Sequence, residues 1–132
     1  MFSQTLEHFH RFADALNRRQ LPGVRFRPMV FKPYYISRIQ GQQCGGVQIH
    51  ITDRDRVDLT GIQFHIMDVV QSLYPQQRLF GNQRDRMFDK VCGTDKMRKM
   101  FLEGTPIGQV IRFWNGGRGA YMKMRAKYLL YE

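Results

Sequence analysis

No run of apolar residues in this 132-residue chain is long enough to cross a bilayer, so a membrane-spanning helix is not expected. Cysteine is scarce. Cys44 and Cys92 are the two present, and no group of cysteine and histidine has the spacing of a zinc site. Neither a structural metal nor a cofactor is therefore expected. Two cysteines so far apart are more often buried free thiols than partners, although an oxidising compartment would permit a disulfide. Internal repeats and low-complexity tracts are absent. The opening residues, Met1 to Glu7, lack a basic start, an apolar block and a small-residue cleavage site, so no secretory signal is expected. The length suits one domain with its own core and is short for two ordinary ones, which makes residues 1–132 a single domain in expectation.

Acidic residues are also few, 11 against 21 lysines and arginines, and the net charge is +10. The bases come in small groups: Arg18 with Arg19, Arg25 with Arg27, Arg54 with Arg56, Arg84 with Arg86, and Lys96, Arg98 and Lys99. Such an excess steers anionic partners towards the surface. Nucleic acid is one class and an acidic carbohydrate polymer is another. No RNA-recognition aromatic signature, KH loop, zinc finger or helix-turn-helix accompanies the charge, so nucleic acid is not the first expectation.

Phe2, Leu6, Phe9, Ala13 and Leu16 recur at three and four residues, which predicts an amphipathic helix from Phe2 to about Gln20, capped by Ser3 or Thr5. His8 and His10 fall on different faces of it and read as surface or boundary residues. Leu21-Pro22-Gly23 ends the helix. Residues 24–31 alternate and are rich in strand formers, with Pro28 marking an edge strand or a break. Arg25 and Arg27 then share a face. They suit either bidentate capture of a carboxylate or phosphate or simple protection of a sheet edge by charge. Tyr34 and Tyr35 open a polar loop, where their rings can stack on a sugar or pack with hydroxyls in water.

The densest stretch is residues 44–53, in which Gly45 and Gly46 read as a turn leading into a strand. Val47, Ile49 and Ile51 project to one side and Gln48, His50 and Thr52 to the other. One face can be buried and the other used, although any half-exposed strand shows this alternation. Asp53, Asp55 and Asp58 follow in a charged, solvated turn. A second helix is predicted from near Leu59 to an end marked by Pro75, along the stripe Leu59, Ile62, Ile66, Val69, Val70 and Leu73, capped by Asp58 or by a Thr60–Gln63 box. His65 and Asp68 lie off that stripe, and an acid–base role for them has little support.

Residues 78–86 read as irregular. Thr94 or Asp95 is placed to cap a short helix through Leu102, and Thr105-Pro106 to start another with Ile107, Val110, Ile111 and Trp114 on its buried side. Gly116, Gly117 and Gly119 predict a break, with helix resuming over Ala120 to Lys127. The apolar end, Tyr128 to Tyr131, is expected to dock. Helices with two or three strands imply an α+β fold of α/β-type layers, a small sheet with helices packed against it.

Read together, Leu21-Pro22-Gly23-Val24-Arg25-Phe26-Arg27-Pro28, the run Cys44 to Asp53, Leu73-Tyr74-Pro75, the run Phe88 to Asp95 and the terminal Lys127-Tyr128-Leu129-Leu130-Tyr131 resemble the C-terminal domain of the NamZ-type exo-β-N-acetylmuramidase family. The resemblance runs in order over nearly the whole chain. It implies part of a bacterial glycoside hydrolase that releases N-acetylmuramic acid from the non-reducing ends of peptidoglycan fragments during cell-wall recycling, in the periplasm or outside the cell. It further implies that the catalytic carboxylate belongs to a Rossmann-like N-terminal domain, a partner in cis that is missing here, so that this chain alone is inactive. Consistently, no pair of carboxylates in this sequence forms a persuasive acid and base.

The role left for this chain is one wall of a substrate cleft. Arg25, Arg27, Tyr35, Gly45, Gly46, Gln48, His50 and Asp53 are the candidate substrate-binding residues, with the basic groups suited to the lactyl carboxylate of muramic acid. The alternatives are a basic module for nucleic acid or another polyanion, and a structural domain that stabilises a partner. An exposed apolar patch would mark the seat of such a partner.

Overall fold

Helix α1 (Leu6–Asn17) buries Phe9, Ala13 and Leu16, the inward stripe expected from their spacing. The computed structural model describes residues 6–34, 41–81, 83 and 85–131; Phe2, the caps Ser3 and Thr5, and Tyr35 lie outside these. After α1 come strands β1 (Val24–Phe31) and β2 (Cys44–Ile51), then helices α2 (Ile62–Leu73), α3 (Asp85–Cys92), α4 (Lys96–Leu102), α5 (Ile107–Trp114) and α6 (Arg118–Ala126). The fold is mixed α+β, with helices packed against a two-stranded antiparallel sheet. The chain divides into two compact units, Met1–Gln77 and Arg78–Glu132.

In the first unit β1 pairs with β2 from Val24 opposite Ile51 to Phe31 opposite Cys44. Val24 and Phe26 point inward and join Leu16, Ile62 and Val69 in one core cluster, flanked by Phe12, Val47, Val57 and Ile66. Burial of each large side chain contributes about 1.5–3 kcal/mol. The cover is uneven. Ile49 and Ile51, opposite Phe26 and Val24, stay 44% and 40% exposed, so the strand expected to be buried along Val47, Ile49 and Ile51 is only partly so.

Pro28 does not break β1. The Asn17 side chain bonds Phe26 on both its main-chain groups, donating to the carbonyl at 2.8 Å and accepting the N–H at 3.0 Å. Those groups therefore point away from β2. By the two-residue alternation of an antiparallel pair, the nitrogen of Pro28 points the same way and deprives the ladder of no bond.

Gly45 and Gly46 are not a turn: they lie inside β2, opposite Val30 and Met29. What they provide is room. A Cβ on Gly45 would stand 2.1 Å from Cδ1 of Phe9, and one on Gly46 would stand 2.9 Å from Cε1 of Phe31. Two aromatic rings thus lie directly on the strand, one on each face.

Helix α2 starts at Ile62, later than Leu59, which is exposed. Asp58 organises this start: Oδ1 accepts the Gly61 N–H at 3.2 Å and the Thr60 hydroxyl at 3.2 Å. Gly61, rather than Asp58 or Thr60, occupies the N-cap position and offers no side-chain cap. Phe64, outside the expected stripe, is fully buried as well.

In the second unit Phe80, Met97, Phe101 and Val110 are buried, with the Phe80 ring edge-on to Phe88 at 5.0 Å. Helix α3, whose first two residues fall in the stretch expected to be irregular and whose remainder carried no helix expectation, has Met87 and Val91 exposed and Phe88 partly buried. Arg98 of α4 holds it by a bidentate pair with Asp89, 2.7 Å at the shortest. Thr94 accepts the Lys96 N–H at 3.2 Å, whereas Asp95 pairs with Lys99 at 2.6 Å. Gly117, at φ +78°, separates α5 from α6, which matches the expected break. The expected docking of the end is not seen: Tyr128, Leu129, Leu130 and Tyr131 are exposed.

Gly45→Ala is expected to destabilise the protein by about 1–3 kcal/mol through overpacking against Phe9. Urea denaturation of the substitution alone and together with Phe9→Leu checks this, because the smaller side chain relieves the clash.

Candidate functional site

The antiparallel register decides what the outer face of the sheet carries. Arg25 lies opposite His50 and Arg27 opposite Gln48, and all four side chains are exposed. Residues in such pairs have Cα atoms about 5.5 Å apart, close enough for long side chains to serve one ligand. Gln48 Oε1 and His50 Nε2 stand 3.1 Å apart, which fixes the imidazole along the strand. The positions of this face within the two strands, 25, 27, 29 and 31 with 44, 46, 48 and 50, hold no carboxylate. Two guanidinium groups therefore face solvent with no acid from the ribbon itself opposing them.

Phe31 was not among the residues nominated from the sequence. It shares the outer face with Arg25 and Arg27 at even spacing along β1, its ring lies on Gly46, and it is 43% exposed. That places an aromatic platform at one end of a row of arginines. The signal was the alternation itself, together with the glycine opposite Met29 that lets the ring lie down.

The other nominated residues fall elsewhere. Gly45 belongs to the opposite face, under Phe9, where with His8, Phe12, Ile66, Val70 and Tyr74 it lines an apolar cavity of about 240 Å³. The Tyr74 hydroxyl donates to the His8 carbonyl at 3.4 Å across it. Asp53 lies beyond the end of β2 and accepts the Asp55 N–H at 3.0 Å, as a turn residue does. Tyr35 is outside the described residues; its neighbour Tyr34 is 76% exposed. Both thiols are free, Cys44 in one unit and Cys92 in the other. Burial, and after it Asp89, pushes the Cys92 thiol up from its ordinary value. Among the described residues no group of histidine, cysteine and carboxylate could hold a metal ion, and no helix is long and apolar enough to cross a membrane.

Asp68 is tied to Arg19 in an ion pair, which removes it from acid–base service. His65 beside it is half-buried, and its Nδ1 is buried without a hydrogen-bond partner. Burial first, and the Arg19 charge second, hold the imidazole below its ordinary 6.5, against the opposing pull of Asp68 and Asp58. The unfolded chain takes up a proton near 6.5 that the folded protein resists, so stability is whole above that pH and falls as the pH drops towards the lower folded value. Urea midpoints measured downward from about pH 7.5 are expected to show this decline. His65→Leu should flatten it in the region just below 6.5; an unchanged slope would assign the decline to other groups.

The sequence matches a family described as "Exo-beta-N-acetylmuramidase NamZ, C-terminal" over residues 3–131. It is 33% identical over 118 residues to the Peptidoglycan beta-N-acetylmuramidase NamZ of Bacillus subtilis (strain 168), covering 89% of this chain and 28% of that protein. Among solved structures, a DUF1343 family protein from Bacteroides fragilis superposes with a TM-score of 0.87 at 37% identity, over 94% of this chain and 33% of that one. The chain thus spans about a third of the length of these relatives. With the family matched across both compact units, this chain belongs to the family of the C-terminal region of the NamZ exo-β-N-acetylmuramidases.

Proposed function

We propose that this chain, as one functional domain of residues 1–132, forms a wall of the substrate cleft in a peptidoglycan exo-β-N-acetylmuramidase of cell-wall recycling. The observation that carries the reading is the paired register of Arg25 with His50 and Arg27 with Gln48 on an exposed face whose own strand positions hold no acid. N-acetylmuramic acid differs from N-acetylglucosamine by its lactyl carboxylate, and a guanidinium meets a carboxylate with two parallel charge-assisted hydrogen bonds. In this reading Arg25 and Arg27 take the carboxylate, Gln48 and the His50 it orients meet polar groups of the sugar, and Phe31 lies against the ring. Tyr35 and Asp53 border the same sheet in sequence and belong to the proposed cleft margin. Gly46 contributes by seating Phe31, and Gly45 by seating Phe9 behind the sheet.

The reacting acid comes from the larger N-terminal domain named by the resemblance. Glycoside hydrolysis ordinarily uses two carboxyl groups flanking the bond. Here Asp68, Asp89 and Asp95 are held by Arg19, Arg98 and Lys99, Asp58 organises the start of α2, and Asp53 closes a turn. That distribution supports a binding role for the chain and a catalytic role for its partner domain.

With the chain joined to a catalytic domain of the family, Arg25→Ala or Arg27→Ala is expected to lower kcat/KM on a chromogenic muramic-acid glycoside by about 10- to 100-fold, the loss of a charge-assisted hydrogen bond. The corresponding glucosaminide, which lacks the carboxylate, should be little affected. Equal kinetics on the muramic-acid substrate would reject the cleft wall, and tight binding to arbitrary DNA with a steep salt slope would favour a polyanion module instead.

A further inference from the structure

Helix α6 and the residues after it present exposed apolar side chains. Tyr121, Met124 and Tyr128 fall at the three- and four-residue spacing of one helical face, and backbone bonds from Lys127 to Met124 and from Tyr128 to Arg125 carry the turn to its end. Their exposures are 57%, 52% and 77%, and Leu130 and Tyr131 beyond them are 88% and 87% exposed. A buried tyrosine removes about 150–250 Å² from water, so the group forms a patch of the size that marks an interaction site. The helix itself needs support. It has nine residues and no buried side chain, whereas isolated helices shorter than about 12–15 residues are marginal in water.

The charge around the patch selects the occupant. Arg118, Lys123, Arg125 and Lys127 lie on the same segment, and no acidic residue falls between Arg118 and Tyr131. Two copies of this surface brought face to face would oppose like charges, a costly arrangement at an interface. A partner with apolar surface and an acidic rim satisfies both features. The two relatives provide such a partner's chain length, since this sequence covers 28% of one and 33% of the other.

We infer that the face made by Tyr121, Met124, Tyr128, Leu129, Leu130 and Tyr131 is the seat of the larger N-terminal domain, docked through an acidic-rimmed apolar surface. The inference rests on the domain reading above and adds where the partner sits. α6 is then an interface helix, completed by the domain that supplies the reacting acid.

The test co-expresses the 132-residue chain with the part of the Bacillus subtilis relative outside the matched region. Co-purification, with amide exchange slowed over residues 118–131, is the expected result. Tyr128→Asp with Leu130→Asp should weaken association at least about 100-fold, the scale of losing central interface anchors. Tyr131→Asp, outside the helix, should weaken it too even if the double substitution unravels α6. Failure to associate, association with exchange at 118–131 unchanged, or concentration-dependent self-association of the chain alone that protects this segment would each overturn the inference. Hydrolysis of a muramic-acid glycoside by the mixture without protection of 118–131 would remove this interface and leave the proposed function standing. Protection without hydrolysis would do the reverse.

Discussion

A two-stranded ribbon has no stability of its own in water, and everything proposed for the outer face of this sheet depends on what grips the inner one. The grip is close contact between α1 and the ribbon. Phe9 lies on the backbone of Gly45 at a distance that no side chain on that residue would allow, and Asn17, one helix end away, bonds the free edge of β1 at Phe26. These two contacts hold both strands to one helix. With the ribbon so held, the pairing of Arg25 with His50 and Arg27 with Gln48 follows, because a slip of one residue would send every side chain to the opposite face.

The acids and bases are distributed unevenly. Four of the acidic groups are engaged locally: Asp68 with Arg19, Asp89 with Arg98, Asp95 with Lys99, Asp58 at the start of α2. Such partly exposed pairs contribute modestly to stability. They leave Arg25 and Arg27 on the sheet face and the bases of α6 without a strand or helix carboxylate of their own, and such charge attracts anionic partners at long range. His65 belongs to the structural side of this division, a neutral imidazole half-buried next to an ion pair.

The two units differ in how fully they bury their apolar residues. The first closes a core of Leu16, Val24, Phe26, Ile62 and Val69 between helices and sheet. The second buries Phe80, Met97, Phe101 and Val110, yet leaves α6 and the four residues Tyr128 to Tyr131 uncovered. An apolar end that does not dock on its own unit is the feature least explained by this chain alone, and the docking proposed above would cover it.

Periodicity by itself determined a good deal: α1 from Phe9, Ala13 and Leu16, the alternating strands, the break at Gly117, and the sharing of one face by Arg25 and Arg27, all of which depend on residues close in sequence. The ordered motifs also carried the family. Helix α3 was largely missed because eight residues with two exposed apolar side chains leave too short a pattern to read. Only the tertiary structure decided that Gly45 and Gly46 are seats for Phe9 and Phe31, that Arg25 stands across from His50, and that Tyr128 to Tyr131 remain in solvent. Each of these rests on contact, or its absence, between segments that local spacing does not connect, and a glycine reads the same in sequence whether it turns the chain or makes room for a ring.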